Sequence, residues 1–230
     1  MDSPRRGGQA SGSGSGPTST APRWESSALL IIDVQRDVLS ESPVGIPGTS
    51  EVLPQFVRLV EAFRAAGRPR AHLVRLYQAN GTDADLVRRD ALRAGMRMLL
   101  VGTPGSQIAP GLLPPGSPAL DTDLLLSGAP QVLGPDEVIL FKPRWSAFFR
   151  TGLAQWLAER WVSTVAVTGC NFPNCPRATA VDAISHDLRV VVVDDAVSGF
   201  TTERMSDLAG LGPRSMTTSD VVTALGASTD

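Results

Sequence analysis

Cys175 sits in the segment VTGCNFPNCPRATAVDA, between an apolar run and a helical pattern. Pro176, directly after it, fits the first turn of a helix, because proline has no N–H to lose there. Cys175 is thereby placed at or next to the helix N-terminus. Free backbone N–H groups and the helix dipole lower a thiol pKa at such a position. The same N–H groups can hold an oxyanion. One turn thus offers a nucleophile and an electrophilic pocket. An inert buried thiol is the commoner role of a free cysteine. Pairing with Cys170 would span four residues, which departs from the CxxC of thiol oxidoreductases.

A nucleophilic thiol requires a base. The chain has two histidines, His72 and His186. His72 falls inside an apolar run, and His186 ends the helix that Cys175 begins, roughly 15 Å away by the helical rise. Asp33 is the better candidate. It closes the apolar run ALLII, and a carboxylate at such an exit is partly desolvated and therefore more basic; capping a turn is its competing role. Lys142 follows the run VILF in the same manner. Of 21 basic residues it is the single lysine, the rest being arginine. An ammonium is a compact charge that a guanidinium cannot imitate. Set between Asp33 and Cys175, it would offset the repulsion of a carboxylate beside a thiolate.

These three residues are far apart in the chain, so the fold must gather them. Short apolar runs alternate with helical patterns. Strands are expected at 28–32, 71–76, 137–141, 162–168 and 190–193, and helices at 52–66, 83–93, 152–160, 176–187, 202–211 and 220–225. Strands separated by helices of this length indicate βαβ units around a parallel sheet. Ligands bind such sheets beyond the carboxyl ends of the strands. Asp33, Lys142 and the segment 169–175 all fall at expected strand ends. The Gly/Pro-rich stretch 101–119 is too long for a plain connector and suits a lid or a subunit contact. Trp156 and Trp161 are assigned to packing.

The segments IIDVQRDVL, FKPRWSAFFRTGL and VTGCNFPNCPRATAVDA resemble the isochorismatase-like (cysteine hydrolase) superfamily, from about Ser27 to Leu225. The resemblance implies an α/β fold, a three-layer α-β-α sandwich with a central, mostly parallel, Rossmann-like sheet. It implies that Cys175 attacks a small amide, carbamoyl or lactam-like carbonyl, with Asp33 as general base and acid, Lys142 as electrostatic support and a thioester as intermediate. The backbone N–H groups of Asn171 and Cys175 would hold the oxyanion, beside a cis peptide between Cys170 and Asn171. Trp145, Phe172 and Arg88 are expected to bind substrate. The Asp-x-His-x-x-His metal motif of nicotinamidases is missing, so neither a metal nor another cofactor is expected. Dimers or tetramers are implied as well. Two alternatives stay open: a vinyl-ether hydrolase that uses Asp33 as acid and leaves Cys175 idle, and a catalytically silent binding protein on the same fold.

Composition narrows the field from another side. A chain of 230 residues with 42% apolar and 19% charged residues is long enough for one full hydrophobic core. A net charge of −2 recommends neither nucleic acid nor an electrostatic membrane anchor. Two cysteines make no disulfide scaffold and point to a reducing cytoplasm. In residues 1–23, 15 are Gly, Ser, Thr or Pro, too little apolar area to offset ordering entropy. They read as a disordered tail, ahead of a single hydrolase domain over 24–230.

Overall fold

After Ser27 the run SALLII has no polar side chain to turn toward water, and all six of its residues are buried as β1 (Ser27–Ile32). The period of a strand sends alternate side chains to opposite faces. Leu29 and Ile31 enter one apolar core, while Ala28, Leu30 and Ile32 enter another. β1 must therefore be covered on both sides.

The computed structural model describes residues 18–227. The other strands are β2 (Arg70–Val74), β3 (Gln131–Gly134), β4 (Glu137–Phe141), β5 (Thr164–Gly169), β6 (Arg189–Val197) and β7 (Arg214–Met216). They form one sheet in the order β3-β4-β2-β1-β5-β6-β7. Among the described strands only β3 runs antiparallel to its neighbour. Helices α1 (Leu53–Ala65), α3 (Thr122–Leu126) and α7 (Thr218–Ala227) pack into the core on one face. Helices α4 (Leu153–Ala158), α5 (Cys175–Ser185) and α6 (Thr202–Ser206) cover the other. A further helix, α2 (Leu86–Arg93), stands beyond the ends of the strands near the cleft described below. The parallel sheet expected from the alternation of runs and the α-β-α sandwich implied by the resemblance are the observed architecture.

The differences have physical causes. The edge strand β3 exposes Val132, and β7 is only three residues long, so neither makes a long apolar run. Residues 101–119 are anchored in the core rather than over the cleft. Ile108, Ala109 and Leu112 are buried in the core that α1 covers, and none of the segment lines the cleft. Trp161 is 87% exposed, so it does not pack. The expected tail lies outside the described residues as far as position 17. From Thr18 onward the chain is described: Thr18–Thr20 make a 3-10 turn, and the Arg23 N–H donates to Thr164 Oγ1 at 2.9 Å.

At the amino ends of β2 and β4 lies a buried ionic cluster. Glu137 accepts from Arg64 at 2.8 Å, from Arg70 at 3.1 Å and from His72 Nε2 at 2.9 Å. Burial alone would push the Glu137 carboxyl up. The hydrogen bonds from His72 and Arg64 and the nearby Arg70 charge prevail and hold it down at about 2. Burial drives the His72 pKa below its usual 6.5, against the hydrogen bond to Glu137. His72 is thus a neutral structural side chain, remote from Cys175 chemistry.

Candidate active site

Three backbone hydrogen bonds align the ends of the central strands. The Asp33 N–H donates to Leu73 O at 2.8 Å, Lys142 N–H to Val74 O at 2.9 Å, and Cys170 N–H to Ile32 O at 2.8 Å. β2 lies between β1 and β4, and β5 flanks β1 on the other side. The carboxyl ends of these four strands therefore share one edge. Gly169 ends β5 with φ +122°, and a Cβ there would lie 2.1 Å from Ile32 O. Only glycine lets the chain pass so close to the strand that delivers Asp33. Asp33 itself has φ 55°, a left-handed turn that Asp tolerates better than most residues.

On that edge Lys142 Nζ contacts Asp33 Oδ2 at 2.7 Å. The lysine is fully buried and the aspartate nearly so. Lys142 Nζ also donates to Arg144 O at 3.3 Å. Burial pulls the Lys142 ammonium down, but the Asp33 carboxylate and Cys175 hold it above the usual lysine range. The other oxygen, Asp33 Oδ1, is buried and has no hydrogen-bond partner among the described residues.

Cys175 is the first residue of α5, with Pro176 behind it. Its thiol lies close enough to Asp33 and Lys142 for both charges to act on it. Its pKa is not lowered, contrary to the expectation for a helix N-terminus. Burial, and then the Asp33 negative charge, push it up to about 12, and Lys142 offsets only part of this. The helix dipole is a weaker influence than desolvation beside a carboxylate. At neutral pH the Cys175 side chain is therefore a thiol.

The peptide between Cys170 and Asn171 is cis. Among the described residues no acceptor takes the backbone N–H of Asn171 or of Cys175. Phe172, next along the turn, does not face the site. Its N–H donates to Ser198 O at 2.7 Å, and its fully buried ring packs against Phe200 at 5.4 Å between centroids. The expected substrate contact at Phe172 is therefore a core contact, because the turn sends Asn171 and Asn174 to the cleft and the phenyl ring into the layer beneath α5. His186 ends α5 stacked on Phe148 at 4.8 Å, away from the cysteine.

A narrow cleft opens over these groups. Asp33, Lys142, Cys170, Asn171 and Cys175 line it, and so do Trp145 and Arg88. Arg75, Tyr77, Asp85, Met98 and Arg144 complete much of the wall and escaped the reading of the sequence. A signal existed for two of them. Arg75 and Tyr77, the chain's only tyrosine, follow the end of β2. Their importance depends on β2 lying between β1 and β4, which a strand pattern does not reveal. The Arg75 guanidinium stacks over the Tyr77 ring at 4.0 Å, and the Tyr77 hydroxyl donates to Asp85 Oδ2 at 3.3 Å. Among the described residues no group of three His, Cys, Asp or Glu side chains could hold a metal ion.

The isochorismatase domain model matches residues 27–211, which include the whole of this edge. The chain belongs to the isochorismatase family. A crystal structure of an isochorismatase family protein from Desulfovibrio vulgaris is 33% identical and superposes with a TM-score of 0.73, over 87% of this chain and 98% of that one. A probable inactive nicotinamidase from Arabidopsis thaliana is 29% identical over 204 residues, 86% of this chain and 95% of its own length. An N-carbamoylsarcosine amidase from Arthrobacter is 29% identical over 170 residues, 72% of this chain and 58% of its own. The isochorismatase family thus includes amidohydrolases and a relative described as inactive. No helix among the described residues is long and apolar enough to cross a membrane.

Proposed function

We propose that this isochorismatase-family protein is a cysteine amidohydrolase that cleaves the C–N bond of a small non-peptide amide or carbamoyl compound. The observation that carries the reading is the Asp33–Lys142 pair at 2.7 Å close to the Cys175 thiol, with Asp33 Oδ1 buried and given no hydrogen-bond partner among the described residues. A buried carboxylate oxygen without a partner is costly unless it has a task. Accepting the thiol proton is the task that the neighbouring sulfur offers.

The chemistry follows from the positions. Asp33 takes the Cys175 proton as Sγ bonds to the substrate carbonyl carbon. This transfer is what a thiol pushed up to about 12 requires, because the free thiolate is scarce at neutral pH. The developing oxyanion is met by the unengaged N–H groups of Asn171 and Cys175. Asp33 then returns the proton to the leaving nitrogen, the C–N bond breaks, and a thioester with Cys175 remains. Water, deprotonated by Asp33, attacks that thioester. The acid product departs and the thiol recovers its proton. Lys142 balances the Asp33 charge throughout. Its buried contact with a single carboxylate oxygen suits a point charge rather than a fork.

The relatives named as amidohydrolases and as an amidase support this reading. The test is ammonia release from a panel of primary amides and carbamoyl compounds by the purified protein. Turnover by the native chain and its loss in Cys175→Ala supports the proposal. Silence across the panel, or pyruvate release from isochorismate that survives Cys175→Ala, overturns it.

A further inference from the structure

β1 and β2 part at Asp33. The Asp33 N–H makes the last bond of their ladder, to Leu73 O at 2.8 Å. In a parallel ladder the next bond runs from the Arg75 N–H to Asp33 O. Here Asp33 turns away with φ 55°, and its carbonyl accepts from the Gln35 N–H at 3.0 Å instead. Arg75 is buried, so its backbone groups on that side must find other partners. The Gln35 side chain takes both. Its Oε1 accepts from the Arg75 N–H at 3.0 Å, and its Nε2 donates to Arg75 O at 3.0 Å. The same Nε2 donates to Ser106 O at 2.6 Å. Gln35 is fully buried, and one N–H and two carbonyls as partners fix the orientation of its amide. Backbone bonds stitch the 101–119 stretch to the same turn. The Arg36 N–H donates to Gln107 O at 2.9 Å, and the Ala109 N–H to Val34 O at 3.0 Å.

We propose that Gln35 is a positioning residue: its carboxamide stands in for the missing ladder bond, clamps the Asp33 turn between β2 and residues 101–119, and so holds the Asp33 carboxylate beside Cys175. The Gly/Pro-rich stretch thereby gains a task as the buttress behind Asp33. Displacing a catalytic group by about 1 Å can cost about 100-fold in rate. The same clamp fixes the backbone of Arg75, whose guanidinium stacks on Tyr77 in the cleft wall. Glutamate has the right shape but would set a carboxylate oxygen against the carbonyls of Arg75 and Ser106. The inference rests on the amidohydrolase reading for the work of Asp33 as a base. The placement of Asp33 stands on the hydrogen bonds alone.

A double-mutant cycle of Gln35→Met and Asp33→Asn tests it, read by mass spectrometry as the rate at which iodoacetamide alkylates Cys175 at pH 8. Methionine keeps the length of the side chain and removes the amide. With the Asp33 charge no longer held beside the sulfur, Gln35→Met should speed alkylation about fivefold or more. In the Asp33→Asn background the same change should move the rate by less than about twofold. A gain that persists there reports only a loosened cleft and overturns the proposal, as does an unchanged rate in the single variant. Should the methionine variant not fold, Gln35→Asn, one methylene short, enters the same cycle and must give the same pattern. On an amide that the native chain cleaves, Gln35→Met should lower kcat about tenfold or more and leave KM within about twofold. A loss carried by KM alone overturns the proposal. If the native chain cleaves no amide, the amidohydrolase reading falls, and the alkylation cycle still decides the role of Gln35.

Discussion

Lys142 Nζ and Asp33 Oδ2 meet at 2.7 Å in a place that water barely reaches. Neither partner can be deleted cheaply, because the survivor would be an uncompensated buried charge, at a cost of about 3–5 kcal/mol. Lys142→Met is expected to lower the unfolding midpoint and to reduce kcat/KM for amide hydrolysis by about 100-fold or more. Lys142→Arg keeps the charge, yet a planar fork does not fit around one carboxylate oxygen. Activity falls in that variant too. An arginine variant with native activity would show that only the charge matters.

Cys175 makes a prediction about pH. A thiol pushed up to about 12 is protonated at neutral pH, so alkylation by iodoacetamide should be slow at pH 7. The rate should climb through pH 9 without a plateau. Burial contributes most to the upward shift and the Asp33 charge contributes next. Asp33→Asn should therefore speed alkylation at pH 8 by about tenfold while abolishing hydrolysis. A wild-type plateau near pH 6 would mean a thiolate at rest and would remove Asp33 as its base.

The Glu137 cluster governs acid stability. The unfolded carboxyl titrates near 4.5 and the folded one near 2, so between these values the unfolded chain binds the extra proton. The stabilisation, about 3 kcal/mol for a shift of this size, is complete above pH 4.5 and is lost as pH falls toward 2. His72 acts in the same direction from higher pH. Its folded pKa is depressed, so below 6.5 protons favour the unfolded chain. Urea midpoints should fall steadily from pH 7 to pH 3. In Glu137→Gln the protein is less stable at pH 7, and the decline below pH 4.5 is shallower.

Gly169→Ala tests how Asp33 is delivered. The added methyl would meet the Ile32 carbonyl oxygen at 2.1 Å, in a φ region closed to alanine. One of the strands must move. The expected result is a loss of about 2 kcal/mol or more in urea unfolding, with a drop in kcat out of proportion to any change in KM. Gly67 offers the control: it also has positive φ, but nothing lies within 4 Å of its Cβ position.

Much of this was legible in the chain because the signals were strong where the structure is most buried. The run ALLII has one reading, a strand covered on both faces, and its exit residue had to lie at a sheet edge. The lone lysine stood out against its arginines. What stayed hidden depends on neighbours distant in sequence. The order of strands made Arg75 and Tyr77 part of the cleft, and no local pattern encodes that order. Phe172 sits next to the cleft residue Asn171, but a turn can face either way. The thiol was misjudged because a helix terminus can be read from sequence, whereas desolvation and a nearby carboxylate cannot.

The chain's single lysine side chain is sealed beneath the sheet edge. Acylating reagents that seek primary amines consequently find no accessible side-chain target on the folded domain. Incorporation of an acyl mark at Lys142 would register only those molecules that have opened, so pulse-acylation followed by mass spectrometry would clock the breathing of the candidate centre without an introduced label.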